Sequence, residues 1–524
     1  MDLANLGRVS KISNGQKINA LAVACLLGII GLGGFLRWLA LSEPLWLDEL
    51  HTAWCVSAGW EEVSLRAAAG NQSPLFFWIE YICIRCFGET ELTLRTPSFT
   101  ASILLLLVMP CLVLRWSSSW LAAVLATLIT AVNDQFIFYS VEARPYALIQ
   151  LVSLCQAFLF FEMLFEGFQT EAKRSRWLWY GTLWCCVTLL LFYLHYTTIV
   201  FVAAEALVVF GLSITALRRN QNLSWEILLP WAAVLVGMLP GIVQLIQVGS
   251  GRAAWEAMSN PNAYALQNLA YGLIFLVPGW GAWSLQRNRQ TVSNDASKTV
   301  EWPPLIWLLV LVFVPVLFCY LGTMGHFAPL AHFRFSIASM TLLVATTGVL
   351  VGRLKGRIKV GVASFIILLA IATNPLVGWW VDHQAYPNQR QENWQLVFET
   401  VATDPGQIVF CPNLVEDFWV ATQPKADFPA EYYQFALDGL YPVDRIGCTV
   451  IPAALQDGKA LLSGQEIQRL RNETQGFWLL VRAHADDADW ICHNLLGELA
   501  TPEIQFEAKR KIRAPLNLFR VKTK

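Results

Sequence analysis

Charged residues are scarce in this chain. Aspartate, glutamate, lysine and arginine make up only 14% of its 524 residues, against about 25% in an ordinary soluble domain. The 37 basic and 38 acidic residues leave a net charge of −1, so the chain lacks the basic excess typical of nucleic-acid-binding proteins. Because 56% of the residues are hydrophobic, the composition predicts an integral membrane protein with no nucleic-acid partner.

The cysteine pattern also lacks what a metal or redox motif needs. Cys83 and Cys86 form one CxxC pair, but no second CxxC pair is present, which favours helix packing over zinc binding. Cys411, Cys448 and Cys492 lie in the C-terminal segment, where one disulfide could form if that segment is extracytoplasmic.

Long apolar runs dominate the first 380 residues, and a spanning helix needs about 20 such residues. The first run follows several basic residues as a signal peptide would, but no small-residue cleavage site follows it, so we expect a retained helix. Eleven runs qualify, near 19–41, 96–116, 120–140, 144–166, 177–195, 197–217, 226–247, 265–285, 303–323, 333–352 and 358–380.

Basic residues indicate how these spans are oriented, since short cytoplasmic loops carry an excess of lysine and arginine. With a cytoplasmic N-terminus, five successive inner loops carry Arg115; Lys173, Arg174 and Arg176; Arg218 and Arg219; Arg287, Arg289 and Lys298; and Arg353, Lys355, Arg357 and Lys359. We therefore expect a protein of the inner (plasma) membrane whose C-terminal segment lies outside the cytoplasm.

Two outer segments are long, which divides the chain into a membrane domain, 1–380, and a soluble domain, 381–524. The first outer loop, about 42–95, contains the apolar run 73–88, which carries two charges and predicts an amphipathic helix at the membrane interface. The soluble domain alternates short apolar runs with polar helical stretches, which predicts a small α/β fold.

Polar residues from separate spans gather on the predicted outer face, where charges are costly and mark functional sites. Single members also have structural explanations: Asp48 would cap a helix near 49–59, and Arg334 would reach the lipid headgroups. Glu205, inside the sixth span, could bridge helices and is left unassigned. The set comprises Asp48, Glu49, His51, Asn71, Gln72, Glu91, Arg95, Glu142, Arg144, Tyr146, His195, Tyr196, His326, His332 and Arg334.

Carboxylates and arginines at a membrane surface suit one kind of chemistry. Guanidinium groups match the geometry of a lipid-linked phosphate, and a nearby carboxylate can take the proton of an acceptor hydroxyl. Together they predict glycosyl transfer from a polyprenyl-phosphate sugar, with arginines stabilising the charge on the departing phosphate.

Six sequence stretches, taken in order, carry a family resemblance: "WLDELHTAW", "SPLFFWI", "FGETELTLRTPS", "YSVEARPYAL", "LHYTT" and "HFRFSIASMTLLVATTGVL". As an ordered set covering about 1–400, they resemble the bacterial membrane glycosyltransferases of family 39 type. These belong to the GT-C fold class, with protein O-mannosyltransferases and lipid A aminoarabinose transferases as relatives.

The resemblance implies a helical membrane bundle with interfacial helices in a long first outer loop, a polyprenyl-phosphate sugar donor, and inversion at the anomeric carbon. The acceptor would be a glycan, a lipid or a protein. Asp48 then matches the family's acidic residue, which acts as base or orients the acceptor, and Glu49 is its catalytic partner. Glu142, Arg144, Tyr146, His195, Tyr196 and Arg334 also match family motifs. The predicted donor- or phosphate-binding residues are Arg95, Arg144, Tyr146 and Arg334, and the predicted substrate-binding residues are His51, Gln72, Glu142, His195, Tyr196 and His332.

The chain departs from the family pattern at two places. Phe335 stands where a tyrosine is usual, so its hydroxyl is missing, and "QSPL" (Gln72 to Leu75) replaces a more usual "HFPL" or "PPL". Some relatives use a divalent cation at the acidic loop, for which Asp48 and Glu49 would be the ligands here, although their spacing alone defines no site.

A transporter or flippase of a lipid-linked or anionic substrate is the alternative. Pro240 inside the seventh span is the kind of helix break that such proteins use. Against this, the charges cluster at one face and no internal repeat is evident, which favours the enzyme.

Overall fold

The computed structural model describes residues 19–41, 43–167, 174–218, 228–250, 274–286, 304–325, 330, 333–372, 392–414, 430–456, 459–473, 475–512 and 515–523. Two compact units emerge from the internal contacts. Unit 1 comprises Met1–Leu41, Ser98–Ser250 and Ser259–Tyr386, and unit 2 comprises Ser42–Pro97, Gly251–Met258 and Pro387–Lys524. The first outer loop therefore groups with the C-terminal segment, whereas the sequence analysis placed it in the domain 1–380.

Most of the described chain is helical. The helices are α1 Ala20–Ala40, α2 Leu47–Ser57, α3 Trp60–Ala69, α4 Leu75–Phe87, α5 Glu91–Ser117, α6 Trp120–Val132, α7 Asp134–Ser140, α8 Tyr146–Gly167, α9 Arg174–Leu194, α10 Ile199–Arg218, α11 Leu228–Ser250, α12 Leu305–Met324, α13 Ile337–Arg353, α14 Gly356–Ala372, α15 Trp394–Ala402, α16 Gly464–Arg471 and α17 Ala485–Leu499. A further helical stretch is described over 274–286.

Among the described residues, seven helices are long and apolar enough to cross a membrane: α1, α5, α8, α9, α10, α11 and α12. The pair α6 and α7 brings the number to eight if it counts as one broken span. The prediction of eleven spans is not confirmed, because α13 is shorter than a full span, and the spans expected near 265–285 and 358–380 lie partly outside the described residues.

The span expected over 120–140 is not one straight helix. It bends by 61° between α6 and α7. The cause is local: the Asn133 side chain accepts hydrogen bonds from the backbone N–H groups of Gln135 and Phe136. A new helix therefore begins where the previous one ends, as asparagine at an N-cap position favours.

A buried arginine fixes the end of α6. Arg37, on α1, is fully buried and donates to the carbonyl oxygens of Thr130 at 2.9 Å and Ala131 at 3.1 Å. The last carbonyls of a helix have no partner inside that helix. The guanidinium of Arg37 supplies one, which explains a charge within a spanning helix.

Glu205 bridges three helices of unit 1, as the sequence analysis considered. Its Oε2 accepts from Gln156 Nε2 of α8 at 2.7 Å and from Trp184 Nε1 of α9 at 3.3 Å. Gln156 also donates to Thr188 at 3.1 Å. This polar cluster is completely buried, and such bonds hold helices together inside a membrane.

The C-terminal part of unit 2 confirms the predicted α/β fold. Its sheet has the order β2-β1-β5-β7-β6, with β1 parallel to β2 and β5, and β7 antiparallel to β5 and β6. The strands are β1 Gln407–Cys411, β2 Thr449–Pro452, β3 Ala454–Gln456, β4 Lys459–Leu461, β5 Phe477–Arg482, β6 Phe506–Ile512 and β7 Leu516–Thr523, with β3 and β4 forming a separate hairpin.

The core of this α/β fold lies between the sheet and α17. Leu479 and Phe519 from the sheet belong to the same buried cluster as Ile491 and Leu495 from α17. The three cysteines of this region are all buried and free. The disulfide considered for Cys411, Cys448 and Cys492 is therefore not formed, because each thiol serves as a small apolar group of the interior.

Candidate active site

The acidic residues Asp48 and Glu49 lie at the start of helix α2. Trp46 precedes the helix in an extended conformation. Asp48 and Glu49 lie in the first turn, where negative side chains stabilise the helix because they interact favourably with its unpaired backbone N–H groups. Asp48 is only partly buried, whereas Glu49 and most later residues of α2 are buried. Of the two acidic residues, Asp48 is therefore the one that retains some exposure.

Glu49 is tied to Arg95 by a two-point ion pair. Arg95 Nε donates to Glu49 Oε1, and Nη2 donates to Oε2, each at 2.8 Å. Both side chains are fully buried. Arg95 also donates to the carbonyl oxygens of Glu43 and Pro44. This geometry favours a structural role for the pair over the catalytic role predicted for Glu49 and the phosphate-binding role predicted for Arg95.

His51 lies inside an aromatic cluster rather than at a surface. It is 3% exposed and contacts the rings of Phe77, Tyr432 and Phe435 at centroid distances of 5.4 to 6.0 Å. A Cβ added at Gly70 would come within 2.2 Å of its Nε2, so the glycine makes room for the ring. The substrate-binding role predicted for His51 is not supported by this burial.

Gln72, the other residue predicted in this loop, follows α3 in a turn. Its backbone N–H donates to the carbonyl of Ala67 at 2.9 Å, and Asn71 before it has a positive φ of 56°. Gln72 is partly buried. Its predicted contact with substrate stays a prediction.

Glu80 was not among the predicted site residues, although it is the most unusual carboxyl of unit 2. It lies on α4 and is 0% exposed, and within the described parts of the chain neither of its carboxyl oxygens has a hydrogen-bond partner. Burial, together with the charge of Glu49, raises the pKa of Glu80 well above its ordinary value. The sequence feature that could have identified Glu80 is its charge within the apolar run 73–88.

In unit 1, a short turn between α7 and α8 carries Glu142 and Arg144. The Arg144 backbone N–H donates to the carbonyl of Glu142 at 2.7 Å, and Ser98 Oγ donates to the carbonyl of Arg144 at 2.9 Å. Glu142 is 1% and Arg144 is 5% exposed. The bend between α6 and α7 brings the chain into this turn, so the broken helix serves to place the two charged residues.

Ring contacts connect the other predicted residues of unit 1. Tyr146 contacts His195 with a centroid distance of 6.2 Å, and His195 contacts Phe335 at 5.6 Å. The guanidinium carbon of Arg334 lies 5.2 Å from the centre of the Phe335 ring. The structure therefore brings Tyr146, His195 and Arg334 into one group, with Phe335 as the intermediate ring.

Hydrogen bonds fix His195 and Tyr196 at the junction of α9 and α10. His195 Nδ1 lies 2.7 Å from Thr197 Oγ1 and accepts from the Thr197 backbone N–H, and the Tyr196 hydroxyl donates to Gln244 on α11. Both residues are more than nine-tenths buried. These hydrogen bonds would hold the His195 imidazole in a constant orientation toward Phe335 and Arg334.

Arg334 lies beside a cleft of unit 1. The cavity volume is only about 10 Å³, which is room for about one water molecule. Its lining is mainly apolar, with Arg334 as its charged member: Ile149, Thr197, Thr198, Val200, Phe201, Pro315, Arg334, Phe335, Ile337, Ala338 and Ser339. A guanidinium at the edge of such a small, mainly apolar cleft has the chemistry to bind an anionic group.

The predicted residues thus fall into two groups. Asp48, Glu49, His51, Gln72 and Arg95 belong to unit 2, and Glu142, Arg144, Tyr146, His195, Tyr196 and Arg334 belong to unit 1. His332, like His326 and His383, lies outside the described residues. The convergence of Asp48, Arg144 and Arg334 at one site stays a prediction.

The predicted cation ligands do not fit a metal site. Within the described ranges, no three His, Cys, Asp or Glu side chains come together as ligands. Of the two ligands named from the sequence, Glu49 has both oxygens committed to Arg95.

The fold is that of a helical membrane bundle followed by a small α/β region. The chain is similar over its length to the crystal structure of ArnT from Cupriavidus metallidurans in the apo state, with a TM-score of 0.55 and 10% identity over 96% of this chain and 98% of that one. It is also similar to the structure of ArnT from the same organism bound to undecaprenyl phosphate, with a TM-score of 0.52 and 12% identity over 96% and 97%. No protein-family model and no curated protein matches the sequence significantly. At this level of identity, the similarity establishes the fold.

Proposed function

We propose that this chain is an integral membrane glycosyltransferase that moves a sugar from a polyprenyl-phosphate donor to an extracytoplasmic acceptor. The observation that carries the proposal is the full-length fold similarity to ArnT, one of whose structures contains undecaprenyl phosphate. The seven apolar helices supply the membrane setting that a lipid-borne donor requires.

The donor phosphate would bind at Arg334, whose guanidinium suits it. Apolar residues near Arg334, among them Val200, Phe201 and Ile337, suit contact with the isoprenoid chain. Arg144 is proposed as a second contact of the phosphate. These positive charges would stabilise the negative charge that grows on the phosphate as the glycosidic bond breaks.

Asp48 is proposed to act on the acceptor. Its carboxylate would take the proton of the acceptor hydroxyl while the hydroxyl oxygen forms a bond to the anomeric carbon. The bond between that carbon and the phosphate oxygen breaks at the same time, and polyprenyl phosphate leaves. Attack opposite the departing phosphate inverts the anomeric configuration. Partial exposure of Asp48 supports this role, whereas the buried ion pair of Glu49 with Arg95 supports a structural role for Glu49.

The experiment that tests the proposal compares a deletion strain with the same strain carrying the wild-type chain. Mass spectrometry of lipid extracts and surface glycans would measure both ends of the reaction. We expect one polyprenyl-phosphate sugar to accumulate in the deletion strain and one sugar to disappear from an envelope glycan, lipid or protein. Unchanged lipid-linked sugars and unchanged glycans would contradict the proposal.

A transporter or flippase is the second candidate, because the 61° break between α6 and α7 resembles the discontinuous helices of transporters. The accumulated donor, purified from these extracts, separates the two functions in an assay with purified protein. A transporter would deliver the lipid-linked sugar intact, so purified protein in lipid nanodiscs would never release undecaprenyl phosphate from the accumulated donor. A glycosyltransferase supplied with its acceptor would release it.

A further inference from the structure

Three parts of unit 2 meet at one buried carboxylate. Glu392 Oε2 accepts from the Leu47 backbone N–H and from Trp394 Nε1, each at 2.9 Å. Glu392 Oε1 accepts from Arg482 Nε at 2.6 Å. Glu392 is 6% exposed. Its partners belong to the acidic-loop helix α2, to α15 and to strand β5, so one side chain joins the first outer loop to the α/β region.

The bond to Leu47 reaches the start of α2. Leu47 is the first residue of this helix, and the first N–H groups of a helix have no partner inside it. Trp46, the residue before it, gives no side-chain cap to these groups. The Glu392 carboxylate, 345 residues away in the chain, accepts the hydrogen bond of the Leu47 N–H. Its negative charge also interacts favourably with the positive end of the helix dipole. Asp48 is the next residue, so the anchor lies beside the proposed catalytic carboxylate.

Further contacts hold the middle of α2. His51 and Trp54 pack against Tyr432 and Phe435 at ring-centroid distances of 5.4 to 6.3 Å. A Cβ at Gly439 would lie 2.8 Å from the Trp54 backbone nitrogen, so only glycine allows this approach. The helix is therefore fixed along two turns by residues of the C-terminal region.

We propose that the C-terminal α/β region is a positioning element for Asp48, with Glu392 as its principal positioning residue. This inference rests on the proposed function of Asp48. Glu392 does not touch the reacting atoms; it sets where the first turn of α2 begins and thus where the Asp48 carboxylate stands. A displacement of about 1 Å in such a group is enough to slow a reaction about a hundredfold.

The test uses Glu392→Gln in the full chain. Both carboxylate oxygens of Glu392 accept hydrogen bonds. The glutamine amide keeps one oxygen as an acceptor, but its NH₂ group faces N–H donors in place of the other oxygen. The matched control is Asp404→Asn, because Asp404 accepts from Arg520 at 2.8 Å in an ion pair of the same region. Glu392→Asp, whose shorter side chain keeps the charge, serves as a second variant if the amide prevents folding.

Two readouts separate positioning from loss of stability. The first is the rate at which the complemented deletion strain consumes its accumulated polyprenyl-phosphate sugar, together with the affinity of purified protein in nanodiscs for undecaprenyl phosphate. We expect Glu392→Gln to lower the rate at least tenfold and to change the affinity less than twofold. Asp404→Asn should leave both unchanged, even where it lowers the melting temperature.

The second readout is hydrogen–deuterium exchange of the peptide covering 47–57, which requires no activity. Faster exchange there in Glu392→Gln, and not in Asp404→Asn, supports the anchor. Wild-type exchange, a wild-type transfer rate, or equal losses in both variants would overturn the inference. Wild-type protein that transfers no sugar would contradict the proposed function instead, while the exchange result would still decide whether Glu392 anchors α2.

Discussion

Arg95 and Glu49 form a buried, bidentate ion pair in which both guanidinium-to-carboxylate distances are 2.8 Å. The pair links the start of α5 to the first turn of α2, so the acidic loop is held by charge as well as by packing. A buried charge without its partner is strongly destabilising, although replacing both charges by apolar groups is often tolerated. The "DE" motif therefore divides into one accessible carboxylate, Asp48, and one structural carboxylate, Glu49.

Removing one member of this pair should cost more stability than removing both. We expect Arg95→Met to destabilise the protein by about 3–5 kcal/mol, because Glu49 is left charged and buried. The double variant Arg95→Met with Glu49→Leu should recover part of that loss. Thermal unfolding of purified protein in nanodiscs measures both. Additive losses in the double variant would show that the two residues act independently.

Glu80 should make the protein less stable at neutral pH than in mild acid. Its pKa is raised by burial in the folded state, so the folded protein holds a proton that the unfolded chain releases near the ordinary carboxyl pKa. Stability is therefore lost as the pH rises from that ordinary value through the raised one. Glu80→Gln, which stays neutral, should melt several degrees above wild type at pH 8.

The gain should shrink toward zero near pH 4, where the wild-type carboxyl is protonated in both states. Glu61→Gln is the control, because Glu61 is an exposed carboxylate of the same loop, and its melting temperature should follow wild type at both pH values. An equal effect of Glu80→Gln at pH 4 and pH 8 would contradict the assigned protonation of Glu80.

Arg334 should matter for the donor rather than for the acceptor. Hydrogen bonds to charged groups are worth about 1.5–3 kcal/mol, so Arg334→Ala should weaken the binding of undecaprenyl phosphate about 10- to 100-fold. Titration of nanodisc-embedded protein with this lipid measures the effect. Arg176→Ala is the control, because Arg176 pairs with Glu166 at 3.3 Å elsewhere in unit 1. Equal losses in both variants would remove Arg334 from the phosphate site.

Local sequence patterns predicted much of the fold. The apolar runs "GQIVFCP", "GCTVIP", "GFWLLVRA" and "NLFRVK" correspond to β1, β2, β5 and β7. The helices expected near 49–59 and 73–88 correspond to α2 and α4. These elements were predictable because each buries an apolar face whose period can be read from neighbouring residues. Strand β6 was missed, because it is an edge strand in which Glu507, Lys509 and Lys511 alternate with less exposed residues.

The tertiary parts of the site were not predictable in this way. Nothing near Glu392 signals that its carboxylate meets Leu47, because the two are 345 residues apart. The break at Asn133 depends on one side chain that caps the first turn of the helix that follows it. His51 looked like a surface ligand because its neighbours Asp48 and Glu49 are charged, yet rings from distant segments enclose it. Such features depend on individual side-chain contacts that composition and local sequence patterns do not reveal.

The most direct test of the central claim is the release of undecaprenyl phosphate by purified protein. The protein is reconstituted in nanodiscs with the donor that accumulates in the deletion strain and with the acceptor that lacks the sugar. We expect wild type and the exposed-carboxylate control Glu61→Gln to release the lipid and transfer the sugar. Asp48→Asn should bind undecaprenyl phosphate normally and release at least a hundredfold less. Wild-type turnover by Asp48→Asn would contradict the account.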